Sequence, residues 1–266
     1  MITKIFLLQL FLTFFIGSIW IYFTVLAGLS FGSKTGGFIG GLPSTALLSF
    51  FFIGFTQSPE IASSATTIFP VAIAIAGLFL IVFASIARKG FLIALLSSLC
   101  LWFISSGIIV LLRLDNFILN LVICFIAMVF SYLMLEKFLV IKSVQSDNTG
   151  HTKKHLVIRS LFGGLVVMLT VLIAKTAGPA IGGIFAAFPA MFIATLTISY
   201  KTNGIEFSRA MTKPLMVTGM ITIVVFAIAV RYLYLYTDLY TGTFLSICLS
   251  GISACLTYRF ILPRLI

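Results

Sequence analysis

The sequence predicts an all-α polytopic membrane protein with about nine transmembrane helices, and three observations lead there. Hydrophobic residues fill 61% of the 266 positions and charged residues 9%, whereas a soluble domain carries about 25% charge. The mean hydropathy is +1.24. Nine apolar runs come close to the ~20 residues that cross a bilayer. With 17 Lys and Arg and 6 Asp and Glu, the chain cannot solvate a soluble surface. A soluble enzyme, a nucleic-acid binder and a secreted disulfide scaffold are excluded on that ground.

The runs lie at 5–29, 36–56, 68–87, 91–112, 117–139, 156–177, 180–200, 214–236 and 241–262. The first follows Lys4 as a signal peptide would. Its apolar stretch, Ile5 to Phe31, far exceeds a signal core of about 7–15 residues, so it is read as an uncleaved span. Turn signals mark the next boundaries: Gly32-Ser33-Lys34-Thr35, Gln57-Ser58-Pro59-Glu60, Arg88-Lys89-Gly90 and Arg113-Leu114-Asp115-Asn116. The polar stretch Lys142 to His155 reads as a flexible loop before the sixth run. Tyr232, Tyr234, Tyr236 and Tyr240 gather where the eighth run ends, as in an interfacial aromatic belt. Cys100, Cys124, Cys248 and Cys255 sit inside apolar runs without a CxxC pair, and are expected to be buried packing residues.

Alternating the nine runs across a membrane sorts the cations. Lys4, Arg113, Lys175 and Arg231 fall on the N-terminal side, and the other thirteen Lys and Arg on the opposite side. The positive-inside rule then puts the N-terminus outside and the C-terminus in the cytoplasm of a plasma (inner) membrane. The net charge of +11 is spread singly along span ends, which suits anionic lipid headgroups and not nucleic acid.

Residues 15–60 align without a gap on 161–206, at an offset of 146. Gly17, Thr24-Val25-Leu26, Gly32, Gly36-Gly37, Pro43, Thr56 and Glu60 recur as Gly163, Thr170-Val171-Leu172, Gly178, Gly182-Gly183, Pro189, Thr202 and Glu206. Those are ten identities in 46 positions, where this composition gives roughly four by chance. After a two-residue deletion Pro70 falls opposite Pro214. The expected organisation is 1–114 as a first four-helix repeat, 115–154 as a linker helix and loop, and 155–266 as a second repeat. One odd helix between equivalent halves makes them enter the membrane in opposite directions. Such inverted 4+1+4 repeats recur in secondary transporters.

Both copies open a span with a glycine–proline segment, Gly36 to Thr45 and Gly182 to Pro189. Pro43 lies about 10 Å into its span at the helical rise, and Pro189 is equally deep from the other face. Each proline breaks a helix and frees a carbonyl, which hydrocarbon tolerates only against protein or a wet cavity. Gly36, Gly37, Pro43, Ser44, Thr45, Gly182, Gly183, Pro189 and Thr195 are therefore candidate substrate-binding residues. The competing reading of the glycines is close helix packing. Glu60 and Glu206 match across the repeat and are candidates for ion coupling. Their competing reading is helix capping, because Ser58-Pro59-Glu60 has the form N-cap, N1 proline and first-turn acid. His151 and His155 are too isolated for a metal site. No metal, cofactor or catalytic group is expected, since the six acids are dispersed and no HExxH or phosphate-binding glycine–lysine loop occurs.

Lys175-Thr176-Ala177-Gly178-Pro179, Gly182-Gly183, Ala187-Phe188-Pro189, Gly204 and Glu206 carry a resemblance. Through them His155 to Leu262 resembles the GlpM-like family of small four-span bacterial membrane proteins and its uncharacterised relatives. The first half looks like a diverged copy. The resemblance implies a multi-pass protein and an association with alginate production in some bacteria, and carries over no functional residues. The expected function is permease-like transport of a small solute, with membrane lipids as partners; the alternative is a non-transporting accessory protein for envelope or polysaccharide assembly. Reporter fusions test the orientation: one after Gly150 should read cytoplasmic, and one within 57–67 external. An external signal at Gly150 overturns it.

Overall fold

The structure, a computed structural model, describes residues 3–30, 43–141 and 153–261. The described residues form α1 (Lys4–Ser30), α2 (Ser44–Thr56), α3 (Pro59–Ala65), α4 (Phe69–Ile86), α5 (Phe91–Leu112) and α6 (Phe117–Leu133). After them come α7 (Lys153–Ala177), α8 (Pro179–Ala186), α9 (Ala190–Ala210), α10 (Thr212–Tyr236) and α11 (Leu239–Leu256). A π-turn extends α6 to Phe138 and another extends α11 to Ile261. Among the described residues, eight stretches are long and apolar enough to cross a membrane, and α2 is a shorter apolar helix of 13 residues.

This differs from the nine uniform spans in three places. Residues 36–42 of the second span lie outside the described residues. The seventh span is two helices, α8 and α9, because Pro189 cannot continue the helix before it. Lys153 to His155, expected in the loop, already belong to α7, while 142–152 lie outside the described residues.

Local chemistry sets the ends of the helices. Ser58 accepts from Ile61 N at 3.3 Å, Asn116 from Leu119 N at 3.0 Å, and Asp238 from Tyr240 N at 2.9 Å and Thr241 N at 3.1 Å. These caps start α3, α6 and α11. Gly90, at φ +141°, turns the chain between α4 and α5. Some hydroxyls inside the spans are satisfied by their own helix: Thr13, Ser98, Thr170 and Ser246 each donate to the carbonyl four residues back.

Helices α4 and α10 form the centre. Phe69, Phe79 and Phe83 of α4 and Met220, Phe226 and Val230 of α10 are fully buried. Phe50 of α2 meets Phe69 edge-on, with ring centroids 5.0 Å apart. Helices α1, α5, α6 and α11 are apolar all round but bury only a stripe. They turn outward residues such as Phe11, Phe15, Ile104, Phe125 and Phe244, the pattern of a lipid-facing shell. Three cysteines correct the expectation of buried packing: Cys100, Cys248 and Cys255 are exposed on that shell and only Cys124 is buried. Tyr234 likewise leaves the aromatic belt. It is buried, with its hydroxyl 2.7 Å from Thr243 Oγ1, while Tyr232, Tyr236 and Tyr240 are exposed.

Helices α1 and α7 pack extensively on each other, and the two run antiparallel. Lys175, near the end of α7, lies 6.0 Å over the ring of Phe6, near the start of α1. Further along both helices, a Cβ on Gly17 would stand 3.4 Å from Gly164 Cα, and one on Gly164 would stand 2.7 Å from Phe14 O and collide with Ser18 Oγ. A Cβ on Gly163 would stand 2.5 Å from Ile21 Cδ1, and one on Gly17 would stand 3.8 Å from Val167 Cβ. Backbone meets backbone at this crossing, which only small residues allow. Gly164→Ala should destabilise the protein by about 1–3 kcal/mol through forced separation of the helices. Gly107→Ala, with nothing within 4 Å of the added atom, should be neutral or slightly stabilising. Thermal unfolding in detergent measures both, and equal shifts would refute the crossing.

Candidate functional site

Pro43 and Pro189 play the same local role. Each is the N-cap residue of the helix that follows, with φ −75°, ψ 48° at Pro43 and φ −76°, ψ 40° at Pro189. Neither N-terminus, of α2 or of α9, has a side-chain cap. At Pro189 one helix stops and the next begins. Ala187 N and Phe188 N bond to Ile184 O and Phe185 O at 3.0 Å, and the chain then turns through Pro189 into α9. The eight residues of α8 place this break about 12 Å along the span. Trp102 of α5 is buried against it, 5.1 Å from the Phe188 ring and edge-on.

The structure brings the two prolines to one partly open cavity of about 40 Å³. Pro43, Thr45 and Ala46 line it from one side, Ala187 to Pro189 and Met191 from the break, and residues of α4 and α10 complete the described wall. It is large enough for water or a few ligand atoms, and among the described residues Thr45 carries the one side-chain hydroxyl in its wall.

The other candidates divide as follows. Ser44 is buried beside Pro43, and Thr195 is half-buried further along α9; neither lines the cavity. Gly182 and Gly183 are buried contact points. A Cβ on Gly182 would stand 2.5 Å from Ala174 Cβ, and one on Gly183 would collide with Ala65 O of α3. Gly36 and Gly37 lie outside the described residues. Glu60 is exposed in the first turn of α3, behind the Ser58 cap and Pro59. The hydrogen bond with Ser58 holds its carboxyl below the usual carboxylate range, so it stays ionised at neutral pH. Glu206 is also exposed. Arg88 Nε and Nη2 donate to its two oxygens at 2.8 and 3.2 Å, and Arg209 Nη1 lies 3.8 Å away. The chain before Glu206 is not a second serine-type cap; Gly204 breaks α9 at φ +80°.

Polar residues that the sequence reading passed over lie at the two ends of the bundle. At one end Arg209 Nε donates to Ala84 O at 2.8 Å, and Lys213, with a side chain 9% exposed, pairs with Glu136 of α6. At the other, Ser63 Oγ donates to Arg231 O at 2.7 Å. Arg231 donates to Thr67 Oγ1 at 2.8 Å, and its guanidinium lies 4.3 Å from the Phe117 ring centroid. Arg159 differs from these cations. Among the described residues its Nε is buried with no hydrogen-bond partner, and Nη2 reaches Met191 Sδ at 3.8 Å. The pairings at the two ends join residues far apart in the sequence, 168 positions for Ser63 and Arg231, and no local spacing announces them. Only the singleness of an arginine inside an apolar run could have flagged Arg159.

These features define a polytopic α-helical membrane protein. Residues 156–262, from α7 through α11, match the family DUF3147, described as a protein of unknown function. No curated protein and no solved structure matches the chain.

The ion pairs give one contrast. Lys213→Met should cost about 2 kcal/mol, below the 3–5 kcal/mol of a fully buried pair because Glu136 stays 39% exposed. Glu206→Gln should change the unfolding temperature little, since Arg88 and Glu206 are 65% and 51% exposed. Thermal unfolding at neutral pH checks the order, and a larger loss for Glu206→Gln would reverse it.

Proposed function

We propose that the chain is a permease-like transporter of a small solute, built as an inverted 4+1+4 repeat, and not an enzyme. The observation that carries this reading is the shared cavity, where two proline-led helix starts from opposite halves meet. Discontinuous helices at a repeat interface are the recurrent binding geometry of secondary transporters.

Contacts reciprocal under the 146-residue offset support the repeat. Gly17 packs on Val167 and Ile21 on Gly163, which are the same contact with the halves exchanged. Contacts of this i-to-j, j-to-i kind are the signature of a two-fold axis. Ser63 bonds to the end of α10 at Arg231 O, and its equivalent, Arg209, bonds near the end of α4 at Ala84 O. The antiparallel course of α1 and α7 fits an axis lying in the membrane plane. We place the N-terminus outside and the C-terminus in the cytoplasm of the plasma membrane. The gathering of Arg88, Arg209 and Lys213 at one end and Arg113 and Arg231 at the other agrees with that sorting of charge. On this reading the GlpM-like resemblance and the DUF3147 match mark one repeat of a fused pair, with lipids as its surroundings.

The alternative is a non-transporting accessory protein for envelope or polysaccharide assembly. It is favoured by the small size and apolar lining of the cavity. Cysteines placed singly at Ser44, Thr45, Ala190 and Thr195, with the four native cysteines removed, separate the two. A transporter should let a water-soluble thiol reagent reach some of them, from sides that change with conditions. If all four stay unreactive in folded protein, the segments are dry packing elements and the accessory reading takes over.

A further inference from the structure

We propose that the open cleft between the α5–α6 turn and the end of α10 binds a phospholipid with a phosphoethanolamine headgroup. Arg113 and Arg231 take its phosphate, Asp115 takes its ammonium group, and the outer stripe of α6 carries an acyl chain. The site stands whether or not the chain moves a solute.

The cleft measures about 650 Å³, within the range of small-ligand sites. Arg113 to Leu119 line one side, and Arg231 and Tyr232 the other. At the opposite end of the bundle Arg88, Arg209 and Lys213 pair with Glu206 and Glu136. Among the described residues none of Arg113, Asp115 and Arg231 belongs to an ion pair. Arg231 is nevertheless fixed in place. Its Nη1 donates to Thr67 Oγ1 at 2.8 Å, and its guanidinium lies 4.3 Å from the Phe117 ring centroid. Stacking on a ring leaves the in-plane N–H edge of a guanidinium for a phosphate, whose oxygens it matches bidentately. Arg113, at φ +48°, ends α5 and turns the chain into the cleft wall. The wall therefore holds two cations and one acid without a partner ion. A bare phosphate answers the arginines and is repelled by Asp115. A zwitterionic headgroup with a primary amine answers all three.

The surroundings point to a lipid as the source of that headgroup. Tyr232 in the wall is exposed, as are Tyr236 and Tyr240 beyond it, and such aromatic residues lie at headgroup depth. Away from the cleft, Ile118, Val122, Phe125 and Val129 are exposed along α6. Steps of four, three and four residues keep them on one helix face. They form an apolar track that begins in the cleft wall at Ile118, and a soluble anion would leave it unused. Charge sorting adds a further observation. The positive-inside rule keeps cations scarce on the N-terminal side, which receives Lys4, Arg113, Lys175 and Arg231. Two of these four share this one cleft.

Native mass spectrometry of the full chain in neutral detergent tests the proposal by counting bound lipid. The probes are dioleoyl phosphatidylethanolamine, phosphatidylglycerol and phosphatidylcholine, and free phosphoethanolamine, which has the headgroup chemistry without the chains. The expected result is one saturable phosphatidylethanolamine site, about tenfold tighter than for the other two lipids, the worth of one charge-assisted hydrogen bond. Arg113→Gln, at an exposed position, should weaken it by about the same factor. Asp115→Asn should remove the preference over phosphatidylglycerol. Arg231→Gln should act as Arg113→Gln does, and if it does not fold, the two exposed positions carry the test. Equal binding of the three lipids, or a preference of the unaltered protein for phosphatidylglycerol, overturns the proposal. So does binding unchanged in both Arg113→Gln and Asp115→Asn. Free phosphoethanolamine bound as tightly as the lipid also overturns it, because the site would then belong to a soluble ligand.

Discussion

Everything in this fold answers to the absence of water in the hydrocarbon layer. A backbone group without a partner there costs several kcal/mol, so the chain coils wherever lipid can reach it. The lipid-facing helices α1, α5, α6 and α11 are therefore long and unbroken, apart from terminal π-turns on α6 and α11. The interruptions occur where other helices cover them. The Pro189 break lies under Trp102 and Phe188, with Pro43 across the cavity. Several buried hydroxyls, those of Thr13, Ser98 and Thr170 among them, find their partner by folding back onto their own helix. The close crossing of α1 and α7 follows too. Lipid tails are as apolar as leucine, so helices gain by approaching backbone to backbone, and Gly17, Gly163 and Gly164 permit it.

Helix α6 is tied to its neighbours at both ends. At its start Asn120 Nδ2 donates to Thr67 O and to Leu114 O, both at 2.8 Å. At its far end Glu136 pairs with Lys213 at the head of α10. It is thus fastened to the first half at one face and to the second at the other. Along its length it packs on α4.

Much of this was legible in the sequence because hydropathy and turn chemistry are local. The run at 91–112 is the helix Phe91–Leu112, ended by Arg113 in the left-handed conformation. The Ser58-Pro59-Glu60 start of α3 was readable for the same reason. What was not readable depends on neighbours across the bundle. Lipid and protein interior are equally apolar, so nothing in the sequence says that Cys124 faces inward and Cys100 outward. The glycine pair Gly182-Gly183 reads alike as a packing face or a ligand loop until Ala174 and Ala65 are seen against it. The prolines were the informative signal, because a broken helix is forced by covalent geometry whatever surrounds it. That Arg159 touches Met191 in the cavity wall was not readable, since 32 residues separate them.

The packing of Trp102 has an optical consequence. The chain holds two tryptophans. Trp20 is 46% exposed on the outer face of α1, while Trp102 is fully buried with its indole edge-on to Phe188. Their fluorescence reports on different surroundings, one the lipid tails and the other the broken segment between α8 and α9. A quencher carried on lipid acyl chains therefore silences Trp20 first. The emission that remains belongs to Trp102, a native reporter of the place where α8 stops and α9 begins.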